Sequence, residues 1–211
     1  MQNRLKYYVL PALATFLTRL PFIFAGYGSE DDSWGLVQNA RLMAESGTYS
    51  YSRLPGHPVQ EYLLMLMPES GAVSMNLLSV LFSVLAVIAF SNCLRLLKLP
   101  NAHLWALIFS AIPAFFVAGT YTIDYDWALA FILLAFNFQL RGNLIWAGVF
   151  IGLAAGCRLT SVLVIPAFFW LNLSMVNKPV SFGKILKLGF VASIVTLICY
   201  LPAFMQYGVD F

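Results

Sequence analysis

Apolar residues run along this chain in blocks about the length of a bilayer crossing, separated by short polar or proline-bearing stretches. Crossing roughly 30 Å of hydrocarbon at 1.5 Å per helical residue needs about 20 such residues. On that ruler the pattern predicts helices near 7–26, 73–95, 103–121, 124–140, 143–157, 159–176 and 186–205. Leu144 to Val176 as one helix would be about 50 Å long, too long to span even with a large tilt. A hairpin turning near Arg158 is predicted there instead. One large polar segment, about residues 27–72, separates the first two spans, and within it the period changes. From Trp34 to Glu45, Leu36, Val37, Ala40, Met43 and Ala44 share one face at helical spacing, with Gln38, Arg41 and Glu45 opposite. That pattern predicts an amphipathic helix lying flat on the membrane surface. Ser29 stands as its N-cap, with Asp32 three residues on, close to a capping box, and Gly47 ends it. TYSYSRLPGHP then predicts an irregular, proline-punctuated loop. Gly148, Gly152 and Gly156, four apart, predict a close-packing face between helices. The expected fold is an all-α membrane protein: about seven transmembrane helices, one domain over 1–211, and a large first outer loop.

Composition agrees with the pattern. The chain is 61% hydrophobic and 10% charged, where a soluble domain carries about 25% charged residues. The first apolar run has a basic flank, is interrupted by Arg19 and lacks a small-residue cleavage site, so it reads as a retained span. Cys93, Cys157 and Cys199 fit no disulfide framework or zinc spacing. Charge placement orients the chain. With the amino terminus inside, Arg4, Lys6, Arg95, Lys98, Arg141, Lys178, Lys184 and Lys187 fall at inner ends, as the positive-inside rule expects. The acids, which played no part in that assignment, then all fall outside: Glu30, Asp31, Asp32, Glu45, Glu61, Glu69, Asp124, Asp126 and Asp210.

Three groups of residues could carry chemistry. GSEDDSW places Glu30, Asp31 and Asp32 side by side, a third of the chain's acids. Acids at a helix start satisfy backbone N–H groups and the helix dipole, but capping needs only one. Adjacent carboxylates repel, which suits a base or a metal site. Asp124 and Asp126 form a D-x-D at the outer mouth of the fourth span, where two carboxylates can share a hard cation such as Mg or Mn, or flank a substrate. Arg19, Arg53 and Arg158, with His57 nearby in SRLPGHP, lie on the acidic side against the positive-inside trend. Snorkelling accounts for any one of them; together they fit a phosphate clamp, because a guanidinium matches phosphate in bidentate geometry.

The run TRLPFIFAGYGSEDDSWGLVQNARLMAESGTYSYSRLPGHPVQEYL resembles the first span and first outer loop of polytopic GT-C glycosyltransferases, the superfamily of protein O-mannosyltransferases and the lipid A aminoarabinose transferase. The matching positions are Arg19, Asp31 with Asp32, Ala40-Arg41, Gly47 with Tyr49, and Gly56-His57-Pro58. The likeness covers about residues 18–64, with weaker support to Arg158. It implies an inverting glycosyltransferase of a bacterial or archaeal plasma membrane, using a polyprenyl-phosphate sugar donor on the outer face. Its acceptor would be a glycan, lipid or protein, and it would need no nucleic acid. The resemblance implies a first-loop aspartate as base: Asp31 first, Asp32 next. Arg158, helped by Arg53 or Arg19, would hold the departing lipid phosphate. Glu30, His57, Glu61, Asp124 and Asp126 would contact substrate, with Asp124 and Asp126 also candidates for a divalent cation. Family members are longer, so the chain is expected to be an amino-terminal fragment or a short member. The absence of a large inner loop or a glycine-rich phosphate loop independently favours a donor delivered through the membrane. The rival expectations are a lipid or sugar transporter or flippase, which places charges near the midplane in repeated halves, and a non-catalytic assembly subunit, which needs no acid cluster.

Overall fold

The computed structural model describes residues 5–67, 71–174 and 182–208, and every regular element among the described residues is a helix. α1 (Leu5–Phe24) begins as a π turn and closes as a 3-10 turn. It is followed by α2 (Asp31–Ser46), α3 (Pro58–Met65), α4 (Gly71–Leu96), α5 (Ala102–Ser110), α6 (Pro113–Ala118), α7 (Tyr125–Leu140) and α8 (Leu144–Cys157). A 3-10 segment, Leu159–Val164, leads into α9 (Ile165–Ser174), and α10 (Phe182–Tyr207) completes the bundle. Three of these helices are long and apolar enough to cross a membrane: α1, α4 and Ile185–Tyr207 of α10. Their outward faces carry Leu13, Leu17, Phe190, Leu197 and Ile198, each more than half exposed, as a lipid-facing surface requires. α8, with 14 residues, is about 21 Å long at 1.5 Å per residue, so length alone does not make it a span.

The third predicted segment, 103–121, is two helices rather than one. Pro113 has no N–H to donate and its ring clashes with the preceding turn, so α5 stops at Ser110 and α6 restarts on the proline. The hairpin near Arg158 is present: Arg158 is extended (φ −154°, ψ 107°) and ends α8.

α4 is the central post. It runs antiparallel to α1, with the Tyr8 hydroxyl donating to Asn92 Oδ1 (2.8 Å) near one end and Asn76 Nδ2 to the Ile23 carbonyl (3.1 Å) near the other. It runs parallel to α7, with Trp127 Nε1 donating to Ser79 Oγ (3.1 Å) and Asn137 Nδ2 to the Ala89 carbonyl (2.8 Å). The predicted glycine face packs α8 alongside α10. A Cβ on Gly152 would lie 2.5 Å from that of Val195, and one on Gly148 would lie 2.7 Å from the Leu188 carbonyl. These alignments gather Glu30, Asp31, Asp32, Glu45, Glu61, Asp124 and Asp126 at one end of the bundle and Lys6, Arg95, Lys98 and Arg141 at the other. Arg4, Glu69, Lys178 and Asp210 lie outside the described residues, as do residues 175–176 of the sixth predicted span and the side chain of Lys184.

α2 forms where its pattern placed it, but its surroundings differ from those expected. Its N-cap is Glu30 rather than Ser29, with no side-chain capping bond, while Gly47 closes it in the left-handed region as anticipated. The apolar face does not rest on lipid. Leu36, Val37 and Ala40 are buried against Tyr27, Leu64 and Met75, and Met43 against Tyr49 and Ala203. Ala44, counted with that face in the sequence, is exposed. The stretch after Gly47 is also more ordered than its prolines suggest, since Pro58 starts α3, with proline at the first helical position where a missing N–H costs nothing.

A candidate site built around Asp124

The loop from Tyr49 to His57 is shaped by one carboxylate. Glu61 on α3 is fully buried. Its Oε2 accepts from the Tyr49 hydroxyl (2.7 Å) and the His57 backbone N–H (3.0 Å); its Oε1 accepts from the Ser52 N–H (2.7 Å), the Ser52 hydroxyl (2.8 Å) and Asn39 Nδ2 (3.3 Å). Five donors compensate a buried anion that would otherwise be very costly. Burial, and then Glu61 itself, raise the Tyr49 hydroxyl pKa above its ordinary value, keeping it a donor. Gly56 completes the turn. Its φ is +96°, and a Cβ there would sit 2.6 Å from the Tyr49 hydroxyl, so both conformation and space require glycine. Tyr200 of α10 donates to the Gly56 carbonyl (3.1 Å) and ties the loop to the bundle. Glu61, a substrate contact by expectation, is therefore occupied in holding the loop.

That loop presents Arg53 and His57 to Asp124. Asp124 is fully buried at the entrance to α7. Its Oδ2 accepts from Arg158 Nη1 (2.9 Å), at the α8 turn, and its Oδ1 from Arg53 Nη2 (3.4 Å). Arg53 also forms an ion pair through Nη1 with Asp32, in the first turn of α2. The two guanidiniums and Asp32 are each about one-third exposed, at 34%, 36% and 35% of their side-chain surface, so the cluster opens to solvent from a buried centre. His57 is only 4% exposed. Arg53 Nε can only donate, so His57 Nε2, 2.9 Å away, accepts; Nδ1 then carries the proton and donates to the Cys157 carbonyl at 2.6 Å. His57 thus orients Arg53 rather than pairing with Asp124, whose Oδ2 is 3.8 Å from Nδ1. Arg158 lies over the Tyr125 ring, 4.6 Å from its centroid.

Of the predicted residues, Asp32, Arg53, His57, Asp124 and Arg158 come together. Asp31 stands beside them in sequence, exposed and without a side-chain partner among the described residues. Glu30 is exposed and accepts from the Tyr121 hydroxyl (3.0 Å). The D-x-D does not act as a unit. Positions two apart at a helix start diverge by about 200°, and Asp126 faces Ser83, whose hydroxyl it accepts, away from Asp124. Among the described residues no group of three or more His, Cys, Asp or Glu side chains could hold a metal ion.

Arg19 is fully buried, not on a binding surface. Its Nη2 donates to the Ser110 carbonyl (3.0 Å) and to Phe115 (3.4 Å), at the break between α5 and α6, and it lies over the Phe115 and Phe116 rings. The proline break exposes carbonyls and the arginine satisfies them, which removes Arg19 from the phosphate clamp. Gly119 makes the fit possible: a Cβ there would be 2.7 Å from Arg19 Nε and 2.8 Å from Asp126 Oδ2, and would collide with Ser83 Oγ. Tyr125, Gly119 and Ser83 were missed by sequence reasoning. Tyr125 alone carried a visible signal, as the aromatic inside the D-x-D.

Comparison with protein-family models, with curated proteins and with solved structures finds no match.

Proposed function

We propose that the protein is a multi-pass membrane glycosyltransferase that moves a sugar from a polyprenyl-phosphate donor to a glycan, lipid or protein acceptor at the acidic, outward end of its bundle. The observation that carries this reading is the pair Arg53 and Arg158, each about one-third exposed, held around buried Asp124 with Asp32 at the rim. Two guanidiniums fixed by a common carboxylate offer bidentate donors to a phosphate without having to order first. Asp31 remains the preferred base: its carboxylate has no side-chain partner among the described residues, whereas Asp32 is engaged by Arg53. The acceptor O–H oxygen attacks the anomeric carbon, its proton passes to Asp31, and the bond from that carbon to the phosphate oxygen breaks with its electron pair on the phosphate. Arg158 and Arg53 stabilise the charge that develops there. Asp124 positions both guanidiniums; Glu61 and His57 position Arg53.

In this reading seven helical segments cross the membrane with the amino terminus inside. The directions of the long helices, α4 antiparallel to α1 and parallel to α7, and α8 parallel to α10, and the separation of most acids from the bases, support that count. A transporter is less well supported, because apart from Arg19 and Asp126 the described charges lie towards the bundle ends. The test is donor binding and transfer by membranes carrying the protein. Arg158→Ala should weaken the apparent affinity for polyprenyl-phosphate sugar more than Arg158→Lys, which keeps the charge but loses the fork. Asp31→Asn should abolish transfer while leaving expression and donor binding intact. Donor binding unchanged in Arg158→Ala, or full transfer by both Asp31→Asn and Asp32→Asn, would exclude this mechanism.

A further inference from the structure

At the opposite end of the bundle, α1, α4 and α7 enclose a cavity of about 300 Å³, within the range of about 300–1,000 Å³ typical of ligand sites. It is divided by polarity along the bundle axis. Leu85 and Leu134 line its deeper part; Tyr8, Asn92, Asn137 and Arg141 line the part nearer the helix ends. The polar wall is set in advance. Tyr8 donates to Asn92 Oδ1 (2.8 Å), Asn92 Nδ2 to Asn137 Oδ1, and Asn137 Nδ2 to the Ala89 carbonyl (2.8 Å). Arg141, the residue that ends α7, is exposed and has no side-chain partner among the described residues. Arg95 stands at the neighbouring end of α4, donating to the Tyr8 hydroxyl and lying over the Tyr7 and Tyr8 rings. Among the described residues neither Arg95 nor Arg141 forms an ion pair with a carboxylate.

We infer that this cavity binds one anionic phospholipid, its acyl chain against Leu85 and Leu134 and its phosphate on Arg141. An apolar cleft beside lipid would take any acyl chain. The Arg141 guanidinium in its lining, with an amide wall beside it, selects an anionic head group. In the proposed orientation this end faces the cytoplasmic leaflet, which carries the anionic lipids. The inference rests on the proposed orientation but uses no residue of the Asp124 cluster, so its test and that of the transferase can fail separately.

The test uses the purified chain in nanodiscs of mixed phosphatidylglycerol and phosphatidylcholine, extracted into mild detergent, with retained lipid counted by mass spectrometry. The parent should retain about one lipid per chain, enriched in phosphatidylglycerol about fivefold over the bulk ratio, as expected for one basic contact. Arg141→Gln, an exposed change that leaves the fold alone, should retain lipid at the bulk ratio. Leu134→Trp, which puts an indole into the apolar part of the cavity, should lose most of the retained lipid. Retention at the bulk ratio by the parent, or the same enrichment in Arg141→Gln, would mean annular lipid only and would overturn the proposal. Stoichiometric enrichment that survives in a folded Leu134→Trp would place the lipid elsewhere and overturn it as well. Should Leu134→Trp not fold, the Arg141→Gln comparison decides alone.

Discussion

Asp124→Asn is the most informative single change at the acidic end. It keeps the shape of the side chain, so no cavity opens, but removes the charge between Arg53 and Arg158. Stripping one partner from a buried ion pair costs about 3–5 kcal/mol when the orphaned charge stays dry. Here the guanidiniums left behind are 34% and 36% exposed and can rehydrate, whereas a fully solvated pair contributes below about 1 kcal/mol. Between those limits the expected loss is about 2 kcal/mol. A double-mutant cycle with Arg158→Gln isolates the 2.9 Å contact, with an expected coupling of about 1–2 kcal/mol. Trp127 offers the signal: it is fully buried and stacks on Phe82 at 4.1 Å, so its fluorescence should change when the bundle opens in mixed micelles of rising denaturing-detergent content. If Asp124→Asn unfolds within about 0.5 kcal/mol of the parent and the cycle is additive, Asp124 does not organise the two arginines, and the cluster described here has no centre.

Other outcomes follow from the same geometry. Gly152→Ala would place a Cβ 2.5 Å from Val195 and should destabilise the bundle by about 1–3 kcal/mol through overpacking. Gly189→Ala meets nothing within 4 Å and should be neutral or stabilising by up to about 1 kcal/mol; the pair is compared by unfolding midpoint. Tyr49→Phe removes one of the five donors to Glu61 and should cost about 1 kcal/mol, while Glu61→Gln should cost more and loosen the 49–57 loop, read as faster proteolysis there. Gly119→Ala should disturb Arg19 and Asp126 together, so its effect should fall well short of additivity with Arg19→Gln in the same unfolding assay. In intact cells, a cysteine at Thr48 should react with an impermeant thiol reagent above the native background and one at Lys98 should not; the reverse pattern would invert the orientation.

Hydropathy and charge made the helices legible because both act over whole segments. The glycine face of α8 was legible for the same reason: its four-residue spacing survives any detail of the partner helix. The break at Pro113 was not, because a hydropathy ruler sums across a proline that leaves the apolar run intact. Nor was the role of Arg19, whose partners are carbonyls freed by that break about 90 residues away in sequence. D-x-D spacing suggested one shared site, but helical rotation separates Asp124 from Asp126. The structural role of Glu61, expected as a substrate contact, was not legible because three of its five donors are backbone or hydroxyl groups of Ser52 and His57, whose approach depends on a turn that no periodicity encodes. At α2 the pattern located the apolar face, Ala44 apart, but assigned it to lipid; the protein's own α3 and α4 cover it instead.

The central claim is that the arginines around Asp124 hold a lipid phosphate while a neighbouring aspartate activates an acceptor. It is met most directly by single-turnover transfer of labelled sugar from a polyprenyl-phosphate donor in proteoliposomes, comparing the parent with Asp31→Asn, Asp32→Asn and Arg158→Ala. The account predicts donor bound but no sugar transferred in Asp31→Asn, and weakened donor binding with slower transfer in Arg158→Ala. Asp32→Asn should fall between them, with transfer reduced through the loosened Arg53. Transfer at the parent rate in all three variants, or no donor binding by the parent, would contradict it.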